Sequence, residues 1–128
     1  MGYLLDTVAL LMWWTEQPRL GPHARSLLQD GEDAIHVSAI SVWEIANKNR
    51  IGKLPMLDDF TIVFPRLVRE NGFAILDLDY RHAMRAGYLA GAHRDPFDRL
   101  LAGQALVEDM TVLTNDVQFA GFGCKVLW

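Results

Sequence analysis

Apolar positions along the chain fall into short runs separated by longer stretches with helical spacing. Tyr3-Leu4-Leu5 is such a run and stops at Asp6, after which Thr7 to Trp14 continues at helical spacing; this predicts strand, acid, helix. Gly21-Pro22 opens a second helix over 23–29, with Pro22 at the first helical position and Gly31 able to end it. Residues 34–37 read as a second strand and 40–50 as a helix closed by Gly52. The stretch 58–71 is also helical in spacing. Pro65 within it lacks an N–H and crowds the preceding turn, so a kink or split is expected there. The rest of the pattern is a strand over 73–78, a helix over 80–89, a helix opened by Asp95-Pro96 and running to about Asp109, a strand over 111–113, a short turn or helix over 117–119 and a last strand over 125–127.

Short, nearly all-apolar strands alternating with helices predict an α/β fold: a three-layer α/β/α sandwich whose central parallel sheet, of about five strands, is buried on both faces. In open sheets of this kind the ligand crevice forms at the carboxyl ends of the strands, where the strand order reverses. Asp6 and Asp116 both fall at such ends.

Composition narrows this picture without overturning it. At 128 residues, a single domain over 1–128 is expected. A formal charge of −4 disfavours a binder that grips nucleic acid by excess Lys and Arg alone. The one cysteine, Cys124, excludes an intramolecular disulfide and a multi-cysteine zinc site, and reads as a small buried hydrophobe in a chain of the reducing cytosol. The apolar run from Met1 to Trp14 contains Asp6, has no basic start and is shorter than the ~20 residues that span a bilayer, so neither leader nor membrane span is expected.

The candidate chemistry is acidic, and each acid has an ordinary structural explanation. Asp6 can cap the helix that follows it. Glu44 can pair with Lys48 one turn on, worth ~0.2–0.5 kcal/mol. Asp95, ahead of Pro96, is a ready helix cap, and Asp98 faces the positive end of the same helix. Asp116 can cap the next turn. Their common placement, at strand ends or on first helical turns opening there, is what these explanations leave over. Two unit charges ~4 Å apart at an effective dielectric of ~20 repel by ~4 kcal/mol. Gathering four therefore requires either protonation or divalent cations. Oxygen-only donors point to hard ions, Mg2+ or Mn2+. Such a site suits phosphodiester hydrolysis, with one ion activating water and a second ~3.5–4 Å away stabilising the leaving oxygen. The histidines His23, His36, His82 and His93 show no metal-ligand spacing, and only His93 lies beside an acid.

Four segments, Tyr3-Leu4-Leu5-Asp6-Thr7, the run Ser38 to Ala46 with Glu44, His93 to Ala102 with Asp98, and Leu113-Thr114-Asn115-Asp116, resemble the four acidic motifs of PIN domains, most closely those of the toxin nucleases of bacterial VapBC toxin–antitoxin modules. The resemblance implies an α/β/α sandwich, a Mg2+- or Mn2+-dependent endoribonuclease with one or two ions per site, a homodimer, and inhibition by a cognate antitoxin that enters the groove. It assigns Asp6, Glu44, Asp98 and Asp116 to the acidic quartet that holds metal and catalyses. Thr114 matches a hydroxyl residue that arranges the site, and Asp95 a position outside the quartet, as a cap or support.

The substrate and partner surfaces rest on weaker patterns. Lys48, Arg50 and Lys53 form a basic patch beyond Glu44, and Arg94 and Arg99 flank Asp98; these can hold RNA phosphates on either side of the acids. Trp13 and Trp14 point ~100° apart on one helix, so one of them is expected to leave the core and meet a partner. The competing class is a receiver-type signalling or binding module with an acidic Mg2+ pocket. That class, of similar length and sandwich architecture, wants paired acids after its first strand, where Asp6 stands alone, and a phosphoacceptor Asp ending a middle strand. The third strand does carry Asp77 and Asp79, but no Lys follows the fourth strand or precedes the last helix in a convincing place.

Overall fold

The computed structural model describes residues 2–54, 59–91 and 95–128. In chain order the elements are β1 (Tyr3–Leu5), α1 (Thr7–Trp14), α2 (Pro22–Asp30), β2 (Ile35–Ser38), α3 (Ala39–Arg50), α4 (Phe60–Asn71), β3 (Ala74–Leu76), α5 (Tyr80–Gly87), α6 (Pro96–Glu108), β4 (Thr111–Leu113), α7 (Gln118–Gly121) and β5 (Lys125–Leu127). The strands form one five-stranded sheet in the order β3-β2-β1-β4-β5, and every pairing is parallel. The chain builds outward from β1 to β2 and β3, then crosses back to lay β4 on the other side. The order therefore reverses between β1 and β4, which makes the space beyond their carboxyl ends the crevice of the fold.

Period-two alternation explains why the central strands are apolar on both faces. Leu4 and Val112 join Leu101 and Ala105 of α6 and Phe119 of α7 in one core. Their neighbours Leu5 and Leu113 join Leu10 of α1, Leu28 of α2, Ile45 of α3 and Phe60 and Leu67 of α4 in the other. Leu4, Leu5, Val112 and Leu113 are all fully buried, so each contributes ~1.5–3 kcal/mol of hydrophobic stabilisation. The sheet is thus the middle layer of a three-layer α/β/α sandwich, as the sequence pattern predicts.

Two expectations are corrected here. Pro65 neither splits nor ends α4, which runs through it from Phe60 to Asn71. Pro65 and Thr61, whose carbonyl loses its partner, are both exposed, so water can take the missing bond. Trp13 and Trp14 also do not diverge into core and solvent: both are partly buried against the same core. Trp14, at the end of α1, meets Phe60 and Phe64 at the start of α4 at ring separations of 5.9 and 6.3 Å. Trp13 instead donates its indole N–H to Asn71 at 3.0 Å. Residue 58, where this helix was expected to begin, lies outside the described residues, and Asp59 caps it.

On the opposite face α5 lies directly on α6. A Cβ at Gly103 would stand 2.7 Å from the His82 carbonyl oxygen and 2.9 Å from the Ala86 nitrogen, so the absence of a side chain sets this close approach. Cys124 is buried as expected, with burial pushing its thiol up to about 11.

Candidate active site

The four quartet acids arrive on four different elements. Asp6 follows β1, Glu44 sits on the second turn of α3, Asp98 on the first turn of α6, and Asp116 just beyond β4. All four line one hollow of about 380 Å³ at the reversal point, together with Thr7, Lys48, Asp95 and Asn115. Convergence at this edge follows from the parallel sheet: every strand delivers its carboxyl end to the same side.

Asp6 caps α1 as expected and uses both of its carboxylate oxygens within the fold. One carboxylate oxygen accepts the N–H of Ala9 at 2.7 Å and caps α1; the other accepts the hydroxyl of Thr114 at 2.6 Å. Burial raises its pKa to about 6 against these two hydrogen bonds, and the charges of Asp98 and Asp116 push the same way. Thr114 is itself buried and accepts the backbone N–H of Asp116 at 2.9 Å, so one hydroxyl joins the ends of β1 and β4. Asp116 in turn accepts the N–H of Gln118 at 2.9 Å, and Asp95 caps α6 through Phe97 at 2.9 Å.

Glu44 differs from the simple helix-face expectation. Its carboxylate accepts the hydroxyl of Thr7 at 2.8 Å, and Lys48 acts on it through charge. Burial raises its pKa, the Thr7 bond opposes that, Asp95 and Asp98 add to it, and Lys48 offsets part. Trp43 and Phe97, the residues immediately before Glu44 and Asp98, stack with ring centroids 5.0 Å apart. This contact clamps α3 to the start of α6 beside the two acids. Thr7, Ser41 and the Trp43–Phe97 pair were not singled out as site residues in the sequence. The signal available was Ser41 three residues ahead of Glu44, on the same helical face.

The basic residues divide. Lys48 lines the acid hollow. Arg50 is exposed at the end of α3, with its guanidinium donating to Asn47 at 2.7 Å. Arg99 donates to the carbonyls of Leu89 and Gly91 at 2.8 and 2.7 Å and lies over the Phe122 ring, so its guanidinium is engaged in tying down the segment after α5 rather than held out for phosphate. His93 and Arg94 lie outside the described residues.

Two other features compete for attention. A larger hollow of about 620 Å³ lies among α1, α2 and α4, walled by Trp13, Trp14, Arg25, Arg66 and Glu70. Its two carboxylates, Glu16 and Glu70, are matched by two cations, Arg25 and Arg66, so chemistry rather than size selects the smaller one. Ligand atoms of Asp79, His82 and Glu108 also approach within 4.8 Å of one another. In that group Nδ1 of His82 accepts the Asp79 backbone N–H at 3.0 Å, which leaves the proton on Nε2 to be donated to Glu108 at 2.9 Å. Both ring nitrogens are therefore committed, and Arg81 bridges the two acids. The same bonds commit Asp79, one of the two acids a receiver-type reading draws on, to capping α5 away from the reversal point.

A parallel α/β/α sandwich with carboxylates gathered where its strand order reverses defines an α/β domain with an acidic cleft. The chain belongs to the PIN domain family, which its sequence matches over residues 3–123. It is 38% identical over 69 residues to Ribonuclease VapC16 of Mycobacterium tuberculosis. That stretch covers 51% of this chain and 49% of that protein, about half the length of each. In structure it is similar to VapBC2 from Rickettsia felis bound to a DNA fragment from their promoter, with TM-score 0.73 and 18% identity over 99% of this chain and 98% of that one. A toxin–antitoxin complex from Klebsiella pneumoniae gives TM-score 0.68 and 16% identity over 99% and 97%. Among the described residues no helix is long and apolar enough to cross a membrane.

Proposed function

We propose that the chain is one PIN domain acting as a metal-dependent endoribonuclease, the toxin of a type II toxin–antitoxin module in the cytoplasm. The observation that carries this reading is the convergence of Asp6, Glu44, Asp98 and Asp116 around one hollow, with Asp6 buried and raised to about 6. The donor set fits a hard divalent cation: it is all oxygen, its charges repel one another, and the nearby cation Lys48 offsets only part of that repulsion at Glu44. Mg2+ or Mn2+, one or two per site, would be held by these four acids, and when bound supplies charge neutralisation and Lewis acidity at a scissile phosphate. The chain itself supplies orientation. Thr114 fixes Asp6 relative to the segment of Asp116, Asp95 holds the α6 entry that carries Asp98, and Lys48 attracts the phosphate backbone from the hollow's wall.

RNA as substrate is supported by the name of the mycobacterial relative, and a cognate antitoxin by the complexes in which the structural neighbours were seen. A homodimer completes the reading, and the exposed Tyr80 and Met84 of α5 with Tyr88 just after it are an apolar surface open to a partner. The purified chain should cut RNA only with Mg2+ or Mn2+, and Asp98→Asn should abolish cutting while leaving the fold intact. Cutting that persists in excess chelator would overturn the metal-dependent reading.

A further inference from the structure

Two buried hydroxyls stand behind one of the four acids. The Thr7 hydroxyl oxygen lies 2.8 Å from Glu44 and 2.8 Å from the Ser41 hydroxyl, and Thr7 and Ser41 are 6% and 0% exposed. An ionised carboxylate can only accept, so the single Thr7 proton goes to Glu44 and Ser41 must donate to Thr7. The chain of bonds is therefore directional, from Ser41 through Thr7 to Glu44. It also spans two elements: Thr7 opens α1 directly after Asp6, while Ser41 lies one turn before Glu44 on α3. Glu44 is a long side chain with several rotamers on a half-exposed surface, and among the described residues Thr7 is the hydrogen-bond donor to its carboxylate.

We propose that Thr7, oriented by Ser41, is a positioning residue that holds the Glu44 carboxylate where it can meet a divalent cation alongside Asp6. This rests on the reading of Glu44 as a metal ligand. A bond between neighbouring helices can also serve packing alone, and the two roles separate by experiment. Thr7→Val keeps the branched shape and deletes the donor; Thr7→Ser keeps the donor.

Mn2+ binding is measured by calorimetry on the whole RNA-free chain for wild type, Thr7→Val, Thr7→Ser and Glu44→Gln, with thermal melting of each. Thr7→Val should weaken Mn2+ binding roughly 10–100-fold, the usual effect of losing a group that orients a ligand. Thr7→Ser should restore most of the affinity, and Thr7→Val should add little in the Glu44→Gln background. In RNA cleavage the loss should fall on kcat with KM little changed. A folded Thr7→Val with lowered melting temperature but wild-type Mn2+ affinity overturns the proposal and leaves Thr7 a packing residue. Unchanged affinity in Glu44→Gln would instead sink the metal-site reading itself. If Thr7→Val does not fold, Ser41→Ala takes its place: it should weaken Mn2+ binding in the same direction by less, and unchanged affinity there overturns the proposal.

Discussion

Two groups of charged side chains on this molecule look alike in composition and behave oppositely. At the edge of α5, Asp79, Glu108, His82 and Arg81 close on one another in a complete set of hydrogen bonds and ion pairs. Arg81 beside Asp79 holds that carboxyl down to about 2. At the reversal point of the sheet, Asp6 is pushed up to about 6 by burial and by its acidic neighbours, and Glu44 is raised as well. The first group is compensated within the fold; in the second, Asp6 and Glu44 stay raised despite the Thr114 and Thr7 hydroxyls and the charge of Lys48. A cluster is a better candidate for chemistry when its charges are left in need of something the chain does not itself provide.

The largest contrast should come from removing one member of each group. Asp98→Asn should cut RNA cleavage by more than about a hundredfold, since losing a ligand should exceed the 10–100-fold typical of losing its support. His82→Ala should leave cleavage near wild type in the folded protein but cost about 3 kcal/mol of stability, because it deletes a fully buried ring and its two hydrogen bonds. Cleavage assays beside denaturant melts would show both; equal losses of activity would erase the distinction.

Titration should separate the groups next. Asp6 has a folded pKa above its ordinary value of 3.8, so the folded state holds a proton the unfolded chain has released between about 4 and 6. Its contribution to stability is therefore lost as pH rises through that window in metal-free protein, on the order of 3 kcal/mol at most. Asp79 has the opposite sign: its contribution is present above 3.8 and is lost as pH falls toward 2. Asp6→Asn should flatten melting temperature against pH between 4 and 6 and leave the lower limb alone. A wild-type curve with no such slope would contradict the burial argument.

A smaller effect tests the packing that isolates the compensated group. Gly103→Ala places a methyl within contact of the α5 backbone and should cost ~1–3 kcal/mol without altering metal binding. The smallest concerns substrate. Lys48→Ala with Arg50→Ala should weaken RNA binding and reduce its salt dependence by up to about two charges. An unchanged salt slope would place the substrate elsewhere.

Much of this was legible in the sequence because it follows from periodicity and position. Period-two burial of Leu4 and Leu5 on opposite faces, and acids at the ends of β1 and β4, need no knowledge of distant contacts. What could not be read was pairing across the chain. Lys48 looked like the natural partner of Glu44 because both lie on one helix, whereas the bond comes from Thr7 on another. Arg99 looked like a phosphate ligand because it adjoins Asp98, but the carbonyls after α5 occupy it. The contacts of Trp13 and Trp14 with α4, which hold both against one core, are likewise invisible in a helical wheel. Asp6 shows why a cap does not exhaust a carboxylate: one oxygen caps α1 and the other accepts the Thr114 hydroxyl at the rim of the acidic hollow.

The most direct measurement is Mn2+ binding by the whole chain in three forms: wild type, Asp98→Asn with Asp116→Asn, and His82→Ala. Binding should persist in His82→Ala and be lost in the double acid variant while its melting shows a folded protein. Binding that survives the double acid variant and disappears with His82 would place the metal in the other cluster and contradict the assignment.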